Sequence, residues 1–535
     1  MRDLCSNLPP AGQSALSRGS QSQTKALAHT ARVGTNMIGP IQFATFIAGF
    51  AIAWVCIAIA IRRAQKAGAG NRQKCFHQTH ENPVPRLGGF GIAAAFLLTA
   101  VGLAVPKPEL LTDGAFQVLV VGPLLMFIVG GVDDIHPLGA KLKLVLQITV
   151  SVLVVCYGKL EIDEITNPFY VEPILLGPMA PVAAVIWLVA LTNLINIIDG
   201  IDGLAAGISL MLMILLVNVG GGGGDSAVLL AILTSGALLA FLYFNFPPAR
   251  IYMGDGGAYF LGFLIGVITL HCHQKGTVAA ALLAPIFALG LPIIDVTLAI
   301  IRRALKGLPI FRPDRRHLHH RLLDYGFSHR RSVVTLYILS AGFLILAFAV
   351  LWGQGKLVPI VAGTLFLAVI YVVHTFGMVP QKYSLRGVLS EMTSLRKETR
   401  YIMTLGQWLE LEAERCGSPE ELWENFQFLA LKLNLLEVRL ALVNGELVWK
   451  KPEIQRAPST TVSRHVPIHT DTVRGLDIVA EEADNPKRVF DLKAELVTEA
   501  WVKAANRWRK RTKKEIAFQL ASISEPDLEV SVLTP

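Results

Sequence analysis

Apolar residues in this chain arrive in blocks close to the length of a bilayer-spanning helix, about twenty residues, and the blocks recur from residue 37 to residue 378. We read about eleven of them, since each lies near the length a helix needs to cross hydrocarbon. They fall near 37–61, 88–105, 116–132, 143–157, 176–195, 204–219, 226–245, 257–271, 278–301, 333–352 and 357–378. Of the 535 residues, 53% are hydrophobic and 17% charged, against about a quarter charged in an ordinary soluble chain. A soluble globular protein is excluded. The expected fold class is an all-α polytopic membrane protein, followed by a C-terminal cytoplasmic α/β domain. Three parts are expected: a polar tail over 1–36 without a cleavable leader, a transmembrane domain over 37–380, and a soluble domain over 381–535.

Charge sets the expected orientation. The loop before residue 88 carries Arg62, Arg63, Lys66, Arg72, Lys74 and Arg86, and the loop after residue 301 carries Arg302, Arg303, Lys306, Arg312, Arg315, Arg316, Arg321, Arg330 and Arg331. Both are odd-numbered loops, so the positive-inside rule puts odd loops in the cytoplasm of an inner-membrane protein. The loop with Glu161, Asp163, Glu164 and Glu172 falls on the other face. The single cysteines Cys5, Cys56, Cys75, Cys156, Cys272 and Cys416 form no CxxC pair, so neither a disulfide framework nor a zinc site is indicated.

Acidic knots mark the ends of the apolar runs. Asp133-Asp134 is followed by Lys141 and Lys143; adjacent carboxylates repel and favour a cation or a proton. In Asn193-Leu-Ile-Asn196-Ile-Ile-Asp199-Gly-Ile-Asp202-Gly203 the amides and the first acid recur every third residue, which lines them along one side of a helix end. Such hard oxygen donors suit Mg²⁺. Helix capping alone is the bland reading, but it does not require so many polar groups in one apolar run. Met253-Gly-Asp255-Gly-Gly257 reads as a bare turn able to hold a metal-bound phosphate, or simply as a turn entering a helix. His317-Leu-His319-His320, among arginines, suits an oligophosphate. All four motifs lie on odd loops, hence on one face. Apart from Asp295 the span interiors are almost free of charge, which argues against an ion pathway.

These pieces, with Pro85-Arg-Leu-Gly-Gly89 and the stretch Leu138 through Gln147, resemble in order and spacing the polyprenyl-phosphate N-acetylhexosamine-1-phosphate transferases. The resemblance covers residues 40–380, and its His-x-His-His form resembles the branch that uses undecaprenyl phosphate and UDP-GlcNAc. It implies transfer of N-acetylhexosamine 1-phosphate from a UDP-sugar to undecaprenyl phosphate, release of UMP, and Mg²⁺, with Mn²⁺ as a substitute. It implies Asp133 and Asp134 at the lipid phosphate, Asp199 and Asp255 at the metal, and Lys143, Asn193, Asn196, Asp202, His317, His319 and His320 around the substrates. A homodimer is compatible with it, and no nucleic-acid partner is expected. The alternatives are phospho-MurNAc-pentapeptide transfer and an inactive membrane scaffold or sensor.

For the C-terminal domain we expect helices over 388–415 and 419–433, strands over Leu436–Val443, Glu446–Lys450, 462–468 and 474–480, and a helix over 487–515. Asn444-Gly445 reads as a type I′ hairpin. The ordering resembles a GAF-like sensory or docking domain. Arg507, Arg509, Lys510, Arg511, Lys513 and Lys514, with Trp501 and Trp508, are read as a surface for anionic headgroups or, equally, as a solvated helix end.

Overall fold

The structure, a computed structural model, describes residues 39–66, 84–165, 174–220, 225–274, 285–308, 322–323, 325–352, 385–443, 445–452, 460–468, 473–482 and 487–513, with a few single positions between 357 and 367. It divides into two compact units whose sequences part near residue 380; the stretch from Ile300 to Arg312 groups with the second.

Among the described residues ten helices form along the apolar runs: α1 (Pro40–Lys66), α2 (Gly88–Ala104), α3 (Gly114–Ile135), α4 (Ala140–Gly158), α5 (Ala180–Ile198), α6 (Leu204–Val219), α7 (Ser226–Asn245), α8 (Gly254–Gln274), α9 (Gly290–Lys306) and α10 (His329–Trp352). Among the described residues seven helices are long and apolar enough to cross a membrane, and three shorter apolar ones lie at Gly88–Ala104, Leu204–Val219 and Gly290–Ile301. The eleventh expected span lies almost wholly outside the described residues. Between α4 and α5 a two-stranded antiparallel ribbon, β1 (Glu164–Ile165) with β2 (Ile174–Leu175), closes one loop.

Helix α8 is the axis of the first unit. It packs against α2, α3, α5, α6 and α7 and is almost wholly buried, yet its mean hydropathy of 1.3 is the lowest of the seven spans. Helix α1 reaches 2.4 with only 22% of its span buried. A helix that faces lipid must be apolar, whereas one enclosed by other helices can carry hydroxyls and imidazoles that bond its neighbours. Accordingly Trp187 Nε1 on α5 donates to Thr269 Oγ1 on α8 at 2.8 Å.

The second unit holds α11 (Leu385–Glu412), α12 (Pro419–Lys432), β3 (Glu437–Leu442), β4 (Gly445–Lys450), β5 (Thr461–Pro467), β6 (Val473–Glu481) and α13 (Lys487–Thr512). The strands make one antiparallel sheet in the order β4-β3-β6-β5. Ser418 caps α12 by accepting from Glu421 N, while Glu421 Oε2 accepts from Gly417 N, a reciprocal arrangement close to a capping box. Two expectations are corrected here. Gly445, expected in the hairpin turn, is instead the first residue of β4, where it pairs with Leu442. Trp501 and Trp508 are each 1% exposed and lie in the core with Phe426 and Leu409, so neither ring can meet a lipid headgroup. Arg507 pairs with Glu410 and Glu414, and Arg511 donates to Cys416 O.

Candidate active site

The site is built where five helix ends and two turns meet on one face of the first unit. Asp133 and Asp134 occupy the last turn of α3, not a loop. Lys143 lies in the first turn of α4, Asn196 and Asp199 at the end of α5, and Asp255 in the first turn of α8. The α2 end is fixed by backbone alone: Gly88 N donates to Tyr252 O at 2.8 Å, Gly89 N to Met253 O at 2.9 Å, and Tyr252 N to Pro85 O at 2.9 Å. These carbonyls satisfy amides that a helix start would otherwise leave orphaned. A Cβ on Gly89 would stand 2.5 Å from Gly257, so the Gly-Gly pair lets the strand of chain before Asp255 lie directly on α2. The Pro85–Gly89 motif is therefore a clamp on the segment that carries Asp255.

Asp255 is the hub. Its Oδ1 accepts from Asn196 Nδ2 at 3.1 Å and its Oδ2 faces Lys143 Nζ at 3.3 Å. Lys143 is ion-paired in turn with Asp133, which is buried and accepts from Leu138 N at 2.7 Å. A single ammonium thus bridges two carboxylates from α3 and α8. Asp134 does something else: its two oxygens accept from Asp255 N and Gly256 N, each at 3.0 Å, so it caps α8 from a different helix. Burial first, then the charges of Asp255 and Asp134, holds the Asp199 carboxyl well above the usual carboxylate range, with the Arg86 guanidinium pulling the other way. Burial, then the Asp202 charge, pushes the Tyr252 phenol up to about 12, so its hydroxyl stays a donor.

The remaining expected residues part company. Asn193 Nδ2 donates to Gln147 Oε1 at 2.7 Å and to Val189 O at 2.8 Å, one turn away from the Asp255 hub. Asp202 Oδ2 accepts from Ala249 N at 2.9 Å and ties two turns together. His317, His319 and His320 lie outside the described residues. Sequence reasoning did not single out Gln147, Asn245 or Tyr337 as site residues, and met Arg86 as loop charge and within the Pro85–Gly89 motif without giving it a role. Isolated polar residues inside apolar runs were the available signal for the first three.

Among the described residues no three His, Cys, Asp or Glu side chains converge as a ready metal cluster. The donor set nonetheless fits Mg²⁺. Asp199, one turn after the Asn196 that bonds Asp255, adds a second hard carboxylate to that helix end, and Mg²⁺ characteristically takes one or two carboxylates and completes its shell with water and substrate phosphate.

The sequence profile of Glycosyl transferase family 4 matches residues 116–273, which run from α3 through α8 and include every acid described above. A Bacillus subtilis protein named "Probable undecaprenyl-phosphate N-acetylglucosaminyl 1-phosphate transferase" is 34% identical over 312 residues, covering 57% of this chain and 85% of that protein. The decaprenyl-phosphate N-acetylglucosaminephosphotransferase of Mycolicibacterium smegmatis is 32% identical over 320 residues, covering 55% of this chain and 77% of its own. The undecaprenyl-phosphate alpha-N-acetylglucosaminyl 1-phosphate transferase of Escherichia coli is 26% identical over 336 residues, covering 61% and 86%. The acid-bearing helix ends and the similarity to these transferases lead to one assignment: this chain is a membrane-embedded member of glycosyl transferase family 4.

Proposed function

We propose that the protein transfers N-acetylglucosamine 1-phosphate from UDP-N-acetylglucosamine to undecaprenyl phosphate. The observation that carries the reading is the hub itself: Asp255 held between Lys143 and Asn196, with Asp133 behind the lysine and Asp199 capping the helix that carries Asn196. A carboxylate pair with one interleaved ammonium suits the meeting of two anions, a lipid phosphate and a sugar-nucleotide pyrophosphate. The names of the relatives speak for N-acetylglucosamine over a MurNAc-pentapeptide.

In the reaction a lipid phosphate oxygen attacks the sugar-linked phosphorus of the donor. The new P–O bond makes the lipid diphosphosugar, and the pyrophosphate bond breaks with its electron pair leaving on UMP. A phosphate monoester has a second pKa of about 6, so the acceptor is largely dianionic at neutral pH and no strong base is needed. Lys143 binds anionic oxygen and offsets the repulsion between the substrates, while Asp133 and Asp255 fix its ammonium. Asp199 and Asp255 would hold Mg²⁺, which supplies charge neutralisation at the pyrophosphate. Asn196 orients Asp255, and Arg86 adds positive charge to the same rim. The basic odd loops support placing this face in the cytoplasm, and a count of eleven spans then puts the second unit there too. That unit's antiparallel sheet with flanking helices supports a GAF-like regulatory or docking role.

The test is direct. Purified protein with UDP-N-acetylglucosamine, undecaprenyl phosphate and Mg²⁺ is expected to release UMP. Absence of UMP with this donor, while another UDP-sugar reacts, overturns the donor; absence with every UDP-sugar overturns the reaction.

A further inference from the structure

Gly203, which ends the acidic turn, is gripped on both sides of its backbone by side chains from two other helices. It has φ +80 and forms the N-cap of α6. Its N–H donates to Asn245 Oδ1 at 2.8 Å, and its carbonyl accepts from the Tyr337 hydroxyl at 2.6 Å. Asn245, the last residue of α7, is 3% exposed; its Nδ2 donates to Ile251 O at 2.8 Å. One amide therefore joins the turn that carries Asp199 and Asp202 to the segment that leads into Asp255. Tyr337 on α10 lays its ring on Gly207, where a Cβ would stand 2.3 Å from the ring. The bond from Ala249 N to Asp202 Oδ2 is a third tie between the same two turns. Helices in a membrane bundle pack through small residues and scattered polar bonds across helices. Side chains from two helices that bond both the N–H and the C=O of one glycine fix the conformation of that turn as well.

We infer that Asn245 and Tyr337 are positioning residues, which lock the 199–203 turn against the 246–253 segment so that Asp199 and Asp255 face one divalent cation and its pyrophosphate. The inference rests on the transferase reading. Neither residue touches substrate; both act through the backbone of the turn.

Tyr337→Phe keeps the ring on Gly207 and removes only the hydroxyl. A lost neutral hydrogen bond corresponds to roughly a 5- to 10-fold effect. We expect kcat to fall by about that factor and the Mg²⁺ concentration for half-maximal rate to rise by a similar one, with little change in KM for the lipid. A second readout needs no turnover: the rise in Tm on adding UDP-N-acetylglucosamine and Mg²⁺ without lipid acceptor should shrink, while the Tm of the unliganded protein barely moves. Asn245→Asp retains the acceptor for Gly203 N but cannot donate to Ile251 O, and should shift Mg²⁺ dependence in the same direction. Tyr243→Phe, whose ring is exposed on α7, serves as the control with unchanged kinetics. A folded Tyr337→Phe protein with wild-type kcat, Mg²⁺ dependence and ligand-induced Tm shift overturns the inference and leaves the transferase reading intact. A wild-type protein with neither transfer nor a ligand-induced shift overturns both.

Discussion

Asp133 and Asp134 are neighbours in sequence, yet the structure gives them separable tasks, and Asp134→Asn separates them experimentally. Both Asp134 oxygens accept backbone N–H groups at the start of α8, at 3.0 Å each. Met253, which precedes that helix, has no side-chain oxygen, so the cap is supplied from α3. A hydrogen bond to a charged partner contributes about 1.5–3 kcal/mol, and a neutral one about 1. Asparagine can accept from only one of the two amides, and its own NH₂ then faces the other. The net loss is on the order of 2–4 kcal/mol, to which the loss of negative charge at a helix N-terminus adds a few tenths. For a domain of this size that is roughly 5–10 °C of apparent Tm.

The assay is thermal unfolding of purified Asp134→Asn beside Asp133→Asn, each with UMP release measured well below its Tm. Asp134→Asn should lower Tm by the amount above and reduce transfer, because a loosened α8 start displaces Asp255. Asp133→Asn leaves α8 capped, so its activity should drop more than its stability. A fully stable Asp134→Asn protein without transfer would refute the capping role and return Asp134 to the chemistry.

Other outcomes follow from the same geometry. Asp255→Asn should lower UMP release on the order of 100-fold or more, since it removes the hub carboxylate; a near-normal rate would remove Asp255 from the metal site. Gly89→Ala puts a Cβ 2.5 Å from Gly257, an overlap of backbone that should cost about 1–3 kcal/mol and appear as a lowered Tm with impaired transfer; an unchanged Tm would mean that α2 and the Asp255 segment are less tightly apposed. Trp508→Ala empties a fully buried core position and should destabilise the second unit by about 3–5 kcal/mol, read by urea unfolding of the full chain, with vesicle binding of the folded protein unaltered. Removal of residues 381–535 should leave measurable transfer in detergent; total loss in a truncated protein that still binds UDP-N-acetylglucosamine would give the second unit a part in catalysis.

Hydrophobic blocks made the membrane helices legible, because a run near twenty residues leaves few other solutions. The ends of those helices were less legible. Hydropathy treats an acid as the end of a span, but the backbone continues, so Asp133, Asp134 and Asp255 sit in terminal helical turns rather than loops. The buried tryptophans were legible and misassigned. Val497, Trp501, Ala504 and Trp508 are spaced as one helical stripe and are all buried, which is the pattern of a core face. The basic residues among them lie on other faces. Asn245 and Tyr337 were not legible as partners of Gly203, since nothing local specifies that α7 and α10 deliver side chains to that peptide.

The paired acids also explain why motif spacing located the site without assigning its chemistry. Successive residues in a helix point about 100° apart, so an Asp-Asp pair at a helix end cannot serve one ligand with both side chains unless the helix unwinds there. Helix α3 does not unwind; it continues to Ile135. One acid therefore turns toward α4, where Lys143 meets it, and the next toward α8, whose amides it caps. The pair works as a unit only through α8. Asp134 sets where Asp255 stands, Asp255 and Asp133 share Lys143, and the ammonium is thereby placed between two helices that Asp134 already ties together. A reading in which both acids contact the lipid phosphate would need Asp134 to abandon two backbone donors at a buried helix start, exposing them at a cost of about 1–3 kcal/mol each. The geometry favours a division of labour, with Asp133 on the Lys143 ammonium and Asp134 in the frame that holds Asp255.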